Sequence, residues 1–164
     1  MQQNNNRTEP QNDIVKNRRI LVDADACPQA VRRIIERISV RNGIALMFFT
    51  DTNHEITAGY GSVNIVDQGH DSVDLAIVNS LRSNDVVVTQ DYGLASLALA
   101  KKAKAIHPSG KIYSESNIDF LLMDRHLSAR SRRAGERFSR QRRRDGSDDS
   151  SFSDSLKKLL SETT

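Results

Sequence analysis

Apolar positions in this chain concentrate between Arg19 and Met123, and their spacing alternates between two kinds of element. Ile20, Leu21 and Val22 form a run too short for a helix, which predicts a buried strand. Pro28 cannot sit inside that strand but suits the first turn of a helix. Val31, Ile34, Ile35 and Ile38 follow at i, i+3, i+4 and i+7, with Arg32, Arg33, Glu36 and Arg37 between them. This predicts an amphipathic helix that Gly43 can end. Ile44 to Phe49 reads as a second strand and Ser62 to Val66 as a shorter third, with a turn at Gly59–Gly61 between them. Asp71 is placed to cap a helix whose apolar positions are Val73, Ala76, Ile77 and Leu81. The sequence DVVVT, Asp85 to Thr89, predicts a fourth strand. Leu94 to Lys104 predicts an alanine- and leucine-rich helix that ends in lysines, as the helix dipole favours. A brief strand at Ala105–Ile106 and a turn at His107–Gly110 follow. A last core helix, Ser116 to about Ser131, is expected to turn Ile118, Leu121, Leu122 and Leu127 inward.

The order β-α-β-β-α-β-α predicts an α/β fold: a three-layer sandwich with a mainly parallel central sheet flanked by helices. Right-handed crossovers in such a sheet place ligands beyond the carboxyl ends of the strands. Outside this unit, assigned to residues 18–131, the pattern changes. Residues 1–17 are polar and aperiodic and read as a disordered tail. Residues 132–151 read as an arginine-rich arm and a linker, the segment DGSDDSS at 145–151 being linker by composition. Phe152, Leu156, Leu159 and Leu160 then mark a short amphipathic helix within 152–164.

Composition narrows the setting. At 164 residues the chain can bury one modest core. Its single cysteine, Cys27, excludes an intrachain disulfide and fits a reducing compartment. The first residues hold no apolar core like that of a signal peptide, and no stretch approaches the ~18 apolar residues of a membrane helix. A cytoplasmic protein with no membrane partner is expected. The formal charge of +3 hides an asymmetry: residues 125–144 carry nine arginines and one acid, a net +8, while the rest holds 15 basic and 20 acidic residues, a net −5. Arginine without lysine in that segment favours phosphate, which the guanidinium binds in a bidentate manner. Arg125, Arg130, Arg132, Arg133, Arg142, Arg143 and Arg144 are therefore candidates for holding RNA or DNA, although a charge run also fits a solvated arm.

The candidate chemistry lies at the strand ends. Asp23 and Asp25 follow the first strand, Asp91 follows the fourth, and Asp71 and Asp74 open the helix between them. Parallel strands would bring these to one rim. Clustered carboxylates repel unless something neutralises them. A hard divalent cation does so, and oxygen ligands select Mg²⁺ or Mn²⁺. Such a metal holds phosphate and activates water. Each aspartate alone also fits a helix cap or a strand end, Asp71 with Asp74 in particular. Thr89 stands beside the fourth-strand acid as a supporting group. Cys27 heads a helix and begins a C-x5-R spacing with Arg33, but Pro28 removes a backbone donor that a phosphate loop needs, so a small buried thiol is expected. The histidines show no zinc-ligand spacing, and no motif for a nucleotide cofactor or a serine hydrolase occurs.

With VDADACP at 22–28, GHDSVDLAIV at 69–78, DVVVTQDYGLA at 85–95 and HPSGKIYSESNI at 107–118, the chain resembles the bacterial YaiI/YqxD family over about residues 19–160. That family is grouped with the PIN-like nucleases, which use clustered acids and Mg²⁺ or Mn²⁺ to cut RNA or DNA. The resemblance implies a metal-dependent nuclease with Asp23 (Asp25 nearby), Asp74 or Asp71, and Asp91 as its acids. Many PIN domains carry a further acid at the fifth strand, where this chain has His107-Pro108-Ser109. Two other readings compete. One is a haloacid-dehalogenase-like phosphatase, with Asp23 as nucleophile, Asp25 as general acid and Thr50 ending the second strand. The other is a non-catalytic RNA-binding protein acting through its arginine arm. A homo-oligomer is compatible with any of them.

Overall fold

A computed structural model describes residues 18–69, 71–133 and 145–162, with side chains up to residue 130 and again from 145. The N-terminal tail and most of the arginine arm lie outside the described residues. Six strands form one sheet: β1 (Arg19–Asp23), β2 (Ala45–Asp51), β3 (Ser62–Val66), β4 (Val86–Val88), β5 (Lys104–Ile106) and β6 (Ile112–Tyr113). Among the described residues five helices accompany them: α1 (Gln29–Asn42), α2 (Ser72–Ser80), α3 (Tyr92–Ala100), α4 (Ile118–Arg133) and α5 (Gly146–Ser161).

The sheet order is β3-β2-β1-β4-β5-β6. Strands β1 to β5 run parallel and β6 is antiparallel to β5. The chain winds outward from β1 through β2 to β3, then crosses to β4 on the other side of β1. The topological switch point therefore lies between β1 and β4. A crevice opens there at the carboxyl ends, because the crossovers leave in opposite directions.

Side chains alternate across the sheet, as strand geometry requires. Ile20, Val22, Leu46, Phe48, Val86, Val88 and Ile106 face α1 and α5. Leu21, Phe49, Val87 and Ala105 face α2, α3 and α4. These are the three layers the pattern predicts. Helix α1 buries Val31, Ile34, Ile35 and Ile38, and Gly43 ends it in the left-handed conformation at φ 62°. Cys27 is buried in the same layer.

Four local expectations differ from the structure. Helix α3 spans Tyr92–Ala100 and not Leu94 to Lys104: Asp91 caps it, accepting the Leu94 N–H at 2.9 Å, so Tyr92 and Gly93 join the first turn, and it ends before the lysines, Lys104 opening β5. Helix α5 starts at Gly146, within the segment read as linker. Its serines and aspartates form a capping box, in which Asp145 accepts the Ser147 N–H and Asp148 accepts the Asp145 N–H. Strand β6 has no counterpart in the sequence pattern, its two residues being too few to show one. Leu127 is 54% exposed and not inward. It stands five residues beyond Leu122, about 140° around the helix from it.

The helix α5 belongs to the main core, with Phe152 and Leu156 fully buried. Two cations hold its carboxyl end at the amino edge of the sheet. Buried Arg18 donates to the Leu159 and Leu160 carbonyls at 2.8 Å and to that of Glu162 at 3.0 Å, and Lys104 Nζ donates to the Glu162 carbonyl at 3.1 Å. The turn between β5 and β6 packs against this helix so closely that a Cβ on Gly110 would stand 2.8 Å from the Ser151 carbonyl carbon.

Candidate metal centre

Strand β1 delivers Asp23 to the carboxyl edge of the sheet, only 7% exposed. Its Oδ2 accepts a hydrogen bond from the hydroxyl of fully buried Thr89 at 3.0 Å. That hydroxyl oxygen in turn accepts the Asp91 N–H at 3.0 Å. One threonine side chain thus ties the end of β1 to the residue that opens α3. The Asp91 carboxylate divides its work: Oδ1 caps α3, and Oδ2 accepts from Arg125 Nη1 of α4 at 2.8 Å. Asp74 arrives from the first turn of α2.

Asp23, Asp74 and Asp91 line one cleft of about 620 Å³, together with Ala26, Gln90, Tyr92, His107, Asp124, Arg125 and Ser128. Three of the acids named from the sequence therefore share a cavity at the switch point. The electrostatics follow from that crowding. Burial, then the charges of Asp91, Asp23 and Asp71, push the Asp74 carboxyl up to about 6. Burial also raises Asp23, against the Thr89 hydrogen bond. Burial pushes Asp91 in the same direction, but the hydrogen bond and charge of Arg125 and the Leu94 N–H outweigh it, leaving Asp91 below the usual carboxylate range. Among the described residues Arg125 is the one permanent cation lining this cleft.

The other two acids take different places. Asp25 does not line the cleft. Its Oδ1 accepts from Thr50 Oγ1 at 2.5 Å and its Oδ2 from the Asp51 N–H at 3.1 Å. It belongs instead to a cluster with Asp51 and His54 whose candidate ligand atoms lie within 4.8 Å of one another. His54 Nδ1 meets Asp51 Oδ1 at 2.9 Å, the main cause of the lowered Asp51 pKa. Asp71 occupies the N-cap position of α2 in the left-handed conformation at φ 60°, without a side-chain capping bond. It borders a neighbouring hollow that shares Asp74 and Asp91 with the main cleft. The cation candidates divide too. Arg125 reaches the acids, Arg130 is exposed on α4, the side chains of Arg132 and Arg133 are outside the described ones, and Arg142, Arg143 and Arg144 lie outside the described residues.

Asp124 and Tyr92 are cleft residues absent from the candidates named on sequence. A signal for Asp124 exists in the sequence. Ile118 and Leu121 set the buried stripe of α4, and its continuation at i+3, i+4 and i+7 from Leu121 is Asp124, Arg125 and Ser128. Polar side chains that prolong an apolar stripe mark where a helix leaves the core and faces a cavity.

A sequence model described as "Uncharacterized BCR, YaiI/YqxD family" matches residues 21–162. The chain belongs to the YaiI/YqxD family. Relatives within it carry the name UPF0178 protein. The one from Clostridium kluyveri is 46% identical over 142 residues, covering 87% of this chain and 92% of its own. That from Clostridium novyi is 44% identical over 142 residues, covering 87% and 94%. The Clostridium acetobutylicum protein is 43% identical over 144 residues, covering 87% and 96%. No solved structure matches the chain. Among the described residues no helix is long and apolar enough to cross a membrane.

Proposed function

We propose that this YaiI/YqxD protein is a divalent-metal-dependent nuclease that hydrolyses phosphodiester bonds of RNA or DNA in the cleft between β1 and β4. The observation that carries the reading is the meeting of Asp23, Asp74 and Asp91, from three separate elements, in one cleft, with the pKa of Asp74 pushed up to about 6. Burying carboxylates and crowding them together in this way is costly to keep in a fold unless a cation relieves it. The donor set consists of carboxylate oxygens, which fits Mg²⁺ or Mn²⁺. Asp23, Asp74 and Asp91 would hold the ion, with Asp124 lining the same cleft. When bound, such an ion polarises a phosphoryl oxygen and lowers the pKa of a coordinated water.

The chain's own groups do the positioning. Thr89 fixes the rotamer of Asp23 through its hydroxyl, and the α3 cap fixes that of Asp91. Arg125 places a guanidinium at the cleft, where it can hold a phosphate. The grouping with PIN-like nucleases that the sequence resemblance implies points to the same reading. The phosphatase alternative asks Asp25 to act as general acid beside Asp23, yet both Asp25 oxygens are engaged by Thr50 and the Asp51 N–H outside the cleft.

The test is direct. Purified protein is incubated with end-labelled single-stranded RNA and DNA, with Mg²⁺, with Mn²⁺ and with a chelator. Cutting that needs metal and disappears in Asp91→Asn supports the nuclease. Binding without cutting under every metal condition would leave an RNA-binding protein in its place, and turnover of a chromogenic phosphate monoester alone would favour the phosphatase.

A further inference from the structure

The Arg125–Asp91 contact places a fixed cation on one carboxylate oxygen of the proposed metal site. Asp91 Oδ1 is committed to the Leu94 N–H at the start of α3. Oδ2 takes no part in that cap, and Arg125 Nη1 already donates to it at 2.8 Å. A metal ion drawn to Oδ2 would therefore meet the guanidinium there. The contact is built to be released. It is a single hydrogen bond, with the Arg125 side chain 55% exposed and that of Asp91 33% exposed, and exposed pairs of this kind contribute little to stability. In the same position its guanidinium carbon lies 5.9 Å from the centre of the Tyr92 ring, which also lines the cleft and stays beside it if the bond to Asp91 is given up. A guanidinium freed from Asp91 thus stays at the mouth, at the head of the basic segment that follows in the sequence.

We infer that Arg125 is an internal counterion that holds Asp91 while the rim lacks metal and turns to a phosphate of the nucleic acid once a divalent cation takes its place. This rests on the metal-dependent reading above and adds to it an exchange of partners. It makes metal loading and substrate binding cooperative, because the cation that fills the site also frees the group that grips the backbone. By linkage the coupling is reciprocal, so bound nucleic acid should raise metal affinity through the same arginine.

The experiment measures binding without catalysis, on the full chain. Mn²⁺ affinity is determined by electron paramagnetic resonance of the free ion for the parent, Arg125→Gln and Arg125→Lys, with thermal melts confirming that each is folded. Removing the competing charge should tighten Mn²⁺ binding in the glutamine variant by about three- to tenfold, while the lysine variant stays near the parent. Affinity for a cutting-resistant phosphorothioate oligonucleotide is then measured with and without Mn²⁺. Without metal, parent and Arg125→Gln should bind alike. With metal, the glutamine variant should bind more weakly, its log–log salt slope smaller by about 0.7. Unchanged or weaker Mn²⁺ binding in a folded Arg125→Gln protein overturns the inference while leaving the metal site standing. So does an equal loss of oligonucleotide affinity with and without Mn²⁺. A parent that binds no Mn²⁺ overturns both this inference and the reading beneath it.

Discussion

The hydroxyl of Thr89 stands 3.0 Å from Asp23 Oδ2 while accepting the Asp91 N–H at 3.0 Å, so one buried oxygen ties together two of the four cleft acids. Replacing it with valine keeps the shape of the side chain and deletes the bond. Asp23 then loses the interaction that opposes its burial, and its carboxyl rises further. Thr89→Val should cost about 1–3 kcal/mol of stability, the usual cost of a buried polar group left without its partner. It should also weaken Mn²⁺ binding, and Thr89→Ser should restore much of both. Urea unfolding and metal titration of the two variants check this. A valine variant with parental Mn²⁺ affinity would show that Thr89 does not position Asp23.

Asp74 gives a pH signature. Its carboxyl sits at about 6 in the folded chain, against ~3.9 for an unperturbed aspartate. The folded state therefore holds this proton more tightly. Above pH 6 the ionised side chain is a full penalty on folding, and that penalty is relieved as pH falls toward 4. Asp74→Asn removes it, so without metal the variant should melt about 2–4 °C higher than the parent at pH 8. The gap should close as the pH falls through 6. With Mn²⁺ the order should reverse, because the parent gains stability by binding the ion and the variant does not. Melts over pH 4 to 8, with and without Mn²⁺, read out both effects.

Most of the sheet was legible because its strands are short apolar runs bounded by Pro, Gly or Asp, and α1 carries a clean 3.6-residue stripe. The order of the strands was not. Nothing in the local pattern says that β4 returns beside β1, and that return creates the crevice between Asp23 and Asp91. Asp25 shows the limit from the other side. It lies two residues after Asp23 at the same strand end, so the sequence assigns both to one rim. The chain leaves the strand at Ala24, whose N–H closes the ladder on Phe49 at 2.9 Å, and the turn beyond carries Asp25 to Thr50 and Asp51. A terminal turn escapes the alternation of the strand it follows. The first turns of α5 were hidden for a different reason: serine, aspartate and glycine are common to linkers and to helix caps, and only the reciprocal Asp145–Asp148 bonding separates the two.

At the opposite edge of the sheet, Arg19 donates two hydrogen bonds to Asp85, at 3.2 Å from Nε and 2.6 Å from Nη2, and Asp85 is 1% exposed. Arg19 also donates to the Ser80 carbonyl at 2.7 Å, joining the starts of β1 and β4 to the end of α2. Arg19→Met would strand a buried carboxylate and should cost about 3 kcal/mol or more. Because the pair lies at the amino end of the strands, Mn²⁺ affinity should be unchanged in whatever fraction remains folded. Denaturant unfolding with a parallel metal titration separates the two quantities, and a matched loss of metal affinity would mean that this edge communicates with the cleft.

The last prediction concerns the division between gripping and cutting. The segment 125–144 carries a net +8 and the rest of the chain −5. An acidic cleft repels a polyanion, so a nuclease built this way needs cations at its border. Arg125 supplies one within the cleft itself, and α4 carries the backbone on through Arg130 to Arg132 and Arg133. Replacing Arg132, Arg133, Arg142, Arg143 and Arg144 with glutamine should weaken single-strand binding for every sequence alike, because arginines that grip the backbone read no bases. The log–log salt slope should fall by about 0.7 for each phosphate that is no longer neutralised, up to about 3.5 for all five arginines. The concentration of RNA needed for half-maximal cutting should rise, and the metal concentration needed should stay the same. Asp91→Asn should do the reverse, with near-parental binding and little cutting, since it alters the proposed metal site and leaves the arm intact. Filter binding at several salt concentrations, paired with cutting assays on the same two variants, reads all four quantities. A glutamine variant with parental affinity and salt slope would reduce the arm to a solvated segment and leave Arg125 as the cleft's own grip on its substrate.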